Sequence, residues 1–142
     1  MSIEVQGGSP LIQVFHMPTS LRFYRDVLGF RLTGKSEPLS ENPDDVGWAM
    51  LELGAATIML NTAYDPDDVP EAPEAARWSG HQDTCIYFAC PDVDGAYEYL
   101  VSKGLTMVPP KVAWYGMKQL YLRDPDGFGI CFQWTEKPQS SA

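Results

Sequence analysis

This chain has few of the residues that common catalytic sites are built from. It contains two histidines, His16 and His81, and three cysteines, Cys85, Cys90 and Cys131. Neither histidine sits in a sequence cluster, so neither reads as a catalytic base. An odd, sparse cysteine set does not make a disulfide framework and fits a reducing compartment, so a cytoplasmic location is expected. No apolar run approaches the roughly 20 residues that cross a bilayer, and residues 1–8 lack a charged-then-apolar leader. Basic residues are scarce, 10 Lys and Arg against 19 Asp and Glu, which leaves a formal charge of −9. Phosphate backbones are repelled by that balance, so neither nucleic acid nor membrane is an expected partner. Glycine-rich phosphate loops, Cys-x-x-Cys pairs and His-Glu-x-x-His motifs are absent as well.

The 142 residues are 44% hydrophobic, enough for the core of one compact domain. Twelve glycines and twelve prolines imply short elements joined by many turns. Alternation of apolar residues predicts strands over 11–16, 30–35, 48–53 and 57–61. A helix is expected from Pro18 to Leu28, ended by Gly29, which tolerates positive φ. Residues 36–46 read as a loop. Residues 62–82 hold Pro66, Pro70, Pro73 and many acids, and read as a linker with at most one helical turn near 74–77. The pattern then restarts: a strand over 84–90, a helix over 93–103 with Gly104 behind it, and a strand over 106–112. A hairpin over 117–123 and 128–134 closes the chain, and 137–142 read as a frayed tail.

That closing hairpin carries the strongest local signal. Asp124-Pro125-Asp126-Gly127 lies between two alternating runs, and these residue types favour a tight turn. The order strand, helix, three strands occurs twice, and one interval separates Gly29 from Gly104, Tyr24 from Tyr99 and Phe30 from Leu105. The expected fold is therefore α+β: a single domain of two βαβββ modules, 9–61 and 84–134, with a linker at 62–83 and a tail at 135–142. A module with one helix leaves one sheet face open, and two open faces pairing into a curved mixed sheet would enclose a cleft.

The motifs Ser20-Leu21-Arg22-Phe23-Tyr24-Arg25-Asp26-Val27-Leu28-Gly29-Phe30, Asp92-Val93-Asp94 and Arg123-Asp124-Pro125-Asp126-Gly127 resemble those of the vicinal oxygen chelate superfamily. This is the group of glyoxalases, bleomycin-resistance proteins and extradiol dioxygenases, and the resemblance spans residues 9–134. It implies four ligand positions that metalloenzymes fill with His, Gln or Glu. Here those positions read Ser9 (or Pro10, one residue on), Met59, Cys85 and Cys131. Ser and Met are poor ligands for the hard or borderline ions of such chemistry, so no metal and no cofactor are expected. Pro10-Leu11-Ile12-Gln13-Val14-Phe15, Thr84-Cys85-Ile86-Tyr87 and Trp114-Tyr115-Gly116-Met117-Lys118 resemble the metal-free bleomycin-resistance type. That likeness implies a homodimer that sequesters an antibiotic without chemistry and exchanges N-terminal strands around the proline.

Period-2 geometry separates the two faces of each strand without reference to any family. Branched aliphatics such as Ile12, Val14, Leu51, Ile58, Leu60, Leu120 and Ile130 would meet the helices. The opposite face also carries Glu52, Thr57 and Gln119, and from it comes the candidate ligand-binding set: Gln13, Phe15, Trp48, Met50, Met59, Asn61, Cys85, Tyr87, Tyr121, Cys131 and Gln133, with Trp114 and Tyr115 from the preceding loop. Such a lining suits a planar, partly apolar small molecule held by stacking. An acidic surface and a mid-strand Glu52 make a cationic group on that ligand one option. Three alternatives stay open: a metal-dependent lyase, isomerase or dioxygenase with atypical ligands, a soft-metal or arsenical site at Cys85 and Cys131, and a scaffold or interaction protein with a vestigial cleft.

Overall fold

Pro10 begins the first sheet with its carbonyl, which accepts from the Met59 N–H at 2.9 Å, while its missing N–H falls at a strand end where none is needed. The computed structural model describes residues 1–136, so the tail expected at 137–142 lies outside the described residues. The chain divides into two compact units, one ending at Pro73 and the other beginning at Glu74.

In the first unit, β1 (Leu11–Val14) is followed by α1 (Met17–Leu21), β2 (Arg31–Lys35), β3 (Trp48–Leu53) and β4 (Ala56–Thr62). The sheet order is β1-β4-β3-β2, with β1 and β4 parallel and the other neighbours antiparallel. Ile12, Val14, Ala49, Leu51, Ile58 and Leu60 are buried on one face, as the alternation predicts. Met17, Leu21, Tyr24, Leu28 and Phe30 complete that core. The helix departs from expectation after Leu21. Arg22–Val27 winds as a wider π-helical segment, and the Leu28 N–H reaches back five residues to the Phe23 carbonyl at 2.9 Å. Phe23, Tyr24 and Phe30 pack edge to face at this widened turn, with ring centroids 5.1 and 5.8 Å apart.

The 36–46 loop is tied to that segment by Arg25. Its guanidinium donates to both Asp44 carboxylate oxygens, at 3.0 and 2.9 Å, and also to Asp26. This fork holds the Asp44 carboxyl below the usual carboxylate range. Val46, at the end of the loop, is fully buried.

The second unit holds α2 (Ala75–His81), β5 (Cys85–Ala89), α3 (Val93–Ser102), β6 (Lys111–Val112), β7 (Met117–Arg123) and β8 (Gly129–Thr135). Its sheet order, β5-β8-β7-β6 with β5 parallel to β8, reproduces that of the first. Asp92 caps α3 by accepting from the Gly95 N–H at 2.9 Å, and Gly104 ends it at φ 90°. Phe88, Val93, Leu100, Leu120, Ile130 and Phe132 form the buried layer.

Two expectations need correction here. The strand expected over 106–112 is reduced to Lys111–Val112, because Pro109 and Pro110 supply no N–H to a ladder. The single turn expected near 74–77 is instead the seven-residue α2. Its stabilising partners come from the distant closing hairpin. His81 stacks on Phe128 at 3.9 Å and donates from Nδ1 to the Asp126 carbonyl at 2.7 Å, and Trp78 packs on Gly127. No local signal in 75–81 announces those contacts.

The Asp-Pro-Asp-Gly turn forms as the sequence predicts. The Asp124 carbonyl accepts from Gly127 N–H at 3.1 Å, and Gly127 adopts φ 91°. The buried Asp124 carboxylate accepts from the Asp126 and Phe128 N–H groups at 2.8 and 2.9 Å. Removing it strands buried donors, so Asp124→Ala should cost about 3 kcal/mol in urea unfolding. A loss under about 1 kcal/mol would show that water replaces the carboxylate at little cost.

Candidate functional site

Because each sheet buries one face, the residues of the other face are set by register. In the first sheet, Gln13 lies beside Asn61 and Asn61 opposite Trp48, while Leu11, Met59 and Met50 form the next row. Trp48, Met50, Met59 and Asn61 are half-buried and Gln13 is exposed. The Trp48 ring fits against Gly34, where a Cβ would lie 3.4 Å from the indole. Glu52 does not wait for a ligand's cation: Arg31 on the neighbouring strand pairs with it. Phe15 is set apart from this group. It lies past the end of β1, meets Tyr64 edge to face at 6.3 Å, and lines a hollow of about 380 Å³ with His16, Leu39 and Asp45.

The second sheet gathers more of the candidate residues. Cys131 on β8 lies between Tyr87 of β5 and Tyr121 of β7. The two tyrosine hydroxyls meet at 3.1 Å and the rings cross at 87°, while Cys131 is fully buried. Burial, followed by the neighbouring Cys85, pushes the Cys131 thiol up to about 11. Burial also raises Cys85, with Arg123 pulling the other way. The Tyr121 hydroxyl is raised, chiefly by its bond to Tyr87. Cys85, Cys131 and Tyr121 are thereby neutral at physiological pH.

An amide chain continues along the same face. Gln119 Nε2 donates to Gln133 Oε1 at 2.9 Å, and Tyr115 Oη donates to Gln119 Oε1 at 3.1 Å. Gln119, nearly buried, is the residue that the candidate set lacks. Its face position was legible from the alternation, but its role in joining Tyr115 to Gln133 depends on the fold of the 113–116 turn. Trp114 stands against Tyr115 at 5.4 Å and is 92% exposed.

Tyr121 stands between two hollows. One, of about 390 Å³, is lined by Gln82, Cys85, Tyr121, Leu122, Arg123 and Gly129. The other, of about 290 Å³, is lined by Val108, Pro109, Lys111, Val112, Ala113, Gln119 and Tyr121. Volumes of this order suit a small organic molecule. Among the described residues, no three His, Cys, Asp or Glu side chains gather in a metal-holding group. Ser9, the first position implied by the resemblance, has its hydroxyl engaged with that of Thr57.

No helix among the described residues is long and apolar enough to cross a membrane. The family model of the glyoxalase/bleomycin resistance protein/dioxygenase superfamily matches residues 8–132. None of the curated proteins matches the chain. Solved structures that resemble it include the antibiotic-binding protein TnmS3 from Streptomyces sp. CB03234, at 17% identity and TM-score 0.68, covering 95% of this chain and all (100%) of that one. A bleomycin-binding protein complexed with bleomycin aligns at 17% identity and TM-score 0.65, covering 93% of this chain and 100% of the other. TioX from Micromonospora sp. ML1 aligns at 20% identity and TM-score 0.64, covering 89% and 98%. At such identities the likeness establishes a shared fold. With two sheets of matching βαβββ order and a family match over nearly its whole length, this chain belongs to the glyoxalase/bleomycin resistance protein/dioxygenase superfamily.

Proposed function

We propose that the protein binds a small aromatic molecule, an antibiotic or aromatic metabolite, and sequesters it without chemical conversion, acting as a homodimer in the cytoplasm. One observation carries this reading: the open face of the second sheet presents Tyr87, Tyr121, Gln119 and Gln133 in a neutral, hydrogen-bonded array flanked by two hollows. Aromatic walls with a few fixed amides hold and orient a planar ligand, and nothing in the array is poised to move a proton at neutral pH. Binding of antibiotics by TnmS3 and by the bleomycin-binding protein is consistent with it. Exposed Val108, Val112 and Trp114 form an apolar rim of the sort that a second copy covers.

The donor chemistry argues against the metal that the superfamily's enzymes use. The implied positions offer an engaged hydroxyl, a thioether and two thiols that burial keeps protonated. Divalent ions of that chemistry need deprotonated or imidazole ligands, so this set does not fit them. The same protonation weakens the soft-metal reading of Cys85 and Cys131.

Two outcomes are expected. Titrating a panel of aromatic antibiotics and metabolites while following tryptophan fluorescence should find saturable binding with the compound recovered unchanged. Sedimentation should give twice the chain mass, and Tyr121→Ala should weaken binding by about tenfold. Turnover of a bound compound, or a monomer that binds equally well, would overturn the reading.

The second concerns pH. The Cys131 thiol titrates about 11 when folded against an ordinary 9.0, so the unfolded chain gives up its proton first as pH rises. Stability from this group is whole below pH 9.0 and is lost between there and about 11. The loss is roughly 3 kcal/mol, and Cys131→Ala should show a correspondingly flatter stability profile over that range. Parallel profiles for the two proteins would mean that the thiol is open to water and ionises normally.

A further inference from the structure

The two hollows flanking Tyr121 have an unusual charge for this chain. Acids outnumber bases 19 to 10 in the sequence, yet no acidic residue lines either hollow, and each holds one cation. Arg123 lines the hollow that contains Cys85, and Lys111 lines the other. Register places both on the uncovered face, since Lys111 lies opposite Gln119, and Arg123 lies two residues beyond Tyr121 on the same strand.

Three other cations of the chain are matched to carboxylates. Arg25 binds Asp44 and Asp26, Arg31 binds Glu52, and Lys118 binds Asp94 at 2.5 Å. Arg123 is different: among the described residues its side chain donates only to the Gly127 carbonyl, at 3.0 Å, and pairs with no carboxylate. One of its five donors is thereby used, which fixes the base of the guanidinium and leaves the rest of the fork for a partner. The nearest acids in sequence are committed elsewhere, with Asp124 buried and holding the turn and Asp126 buried beside it.

We propose that the ligand of this face is an aromatic carboxylate, its ring against Tyr121 and its carboxylate received by Arg123 in the Cys85 hollow. This rests on the binding reading above and adds the ligand's charge to it. Guanidinium and carboxylate match in a planar two-bond geometry, whereas a cationic ligand would meet only like charge in both hollows. The net charge of −9 does not oppose this at contact range, because charges beyond about 10 Å are screened at 0.1 M salt. Gln82, on the same hollow, supplies an amide donor to the second carboxylate oxygen.

The test uses the full chain and three probes of one shape: 2-naphthoate, 2-naphthamide and 2-naphthylmethylammonium, followed by calorimetry. Naphthoate should bind at least about tenfold more tightly than the other two, the ordinary strength of one charge-assisted pair. Arg123→Gln should abolish the preference, bringing naphthoate down to the affinity of the amide, and Arg123→Lys should keep part of it. Equal binding of all three probes, lost together in Tyr121→Ala, would overturn the charge assignment and leave the binding reading standing. A preference that survives Arg123→Gln would overturn it too. Failure of all three probes to bind would overturn both.

Discussion

One helix, about 10 Å across, can cover only one face of a four-stranded sheet whose strands lie almost 5 Å apart. The inner strands β3 and β4 of the first unit follow that constraint, while in the second unit β8 also buries Cys131 on the open face. Residues such as Leu51, Ile58, Leu120 and Ile130 are driven into the helix-side layer, at roughly 2 kcal/mol for each large side chain buried. Their neighbours are thereby held on the other side at fixed spacing, whatever those neighbours are. The uncovered face is thus free to carry function, and in the second sheet it carries tyrosine, glutamine, cysteine and arginine in a set register.

Much of this was legible in the sequence because it depends on period and on local turn chemistry. The alternation around Leu51 and Ile58 assigned both faces, and Asp124 to Gly127 marked a turn that the structure reproduces. Gly29 and Gly104 ended their helices as read, each at positive φ. What escaped depends on partners remote in sequence. Helix α2 forms where a single turn was read, because Trp78 and His81 pack on a hairpin more than forty residues away. The widened turn after Leu21 accompanies an aromatic cluster that includes Phe30. Glu52 read as a possible ligand contact until Arg31 was found opposite it.

The candidate site divides along the same line. Tyr87, Tyr121 and Gln133 stand on the face that alternation gave them. Cys131 shares that face but lies beneath the crossing tyrosines, so it supports the surface rather than presenting a thiol to a ligand. Phe15 leaves the group because β1 ends one residue before it. A superfamily that includes both binders and metalloenzymes makes such details decisive, since the fold is shared and the side chains on the open face are not.

The central claim is that the uncovered face of the second sheet is an aromatic surface that binds without converting. Chemical-shift mapping of the full chain during titration with 2-naphthoate tests it most directly. The account predicts shifts concentrated at Tyr87, Gln119, Tyr121 and Gln133 and a ligand spectrum that stays unchanged over time. Shifts confined to other surfaces, or new ligand resonances that grow as the sample stands, would contradict it.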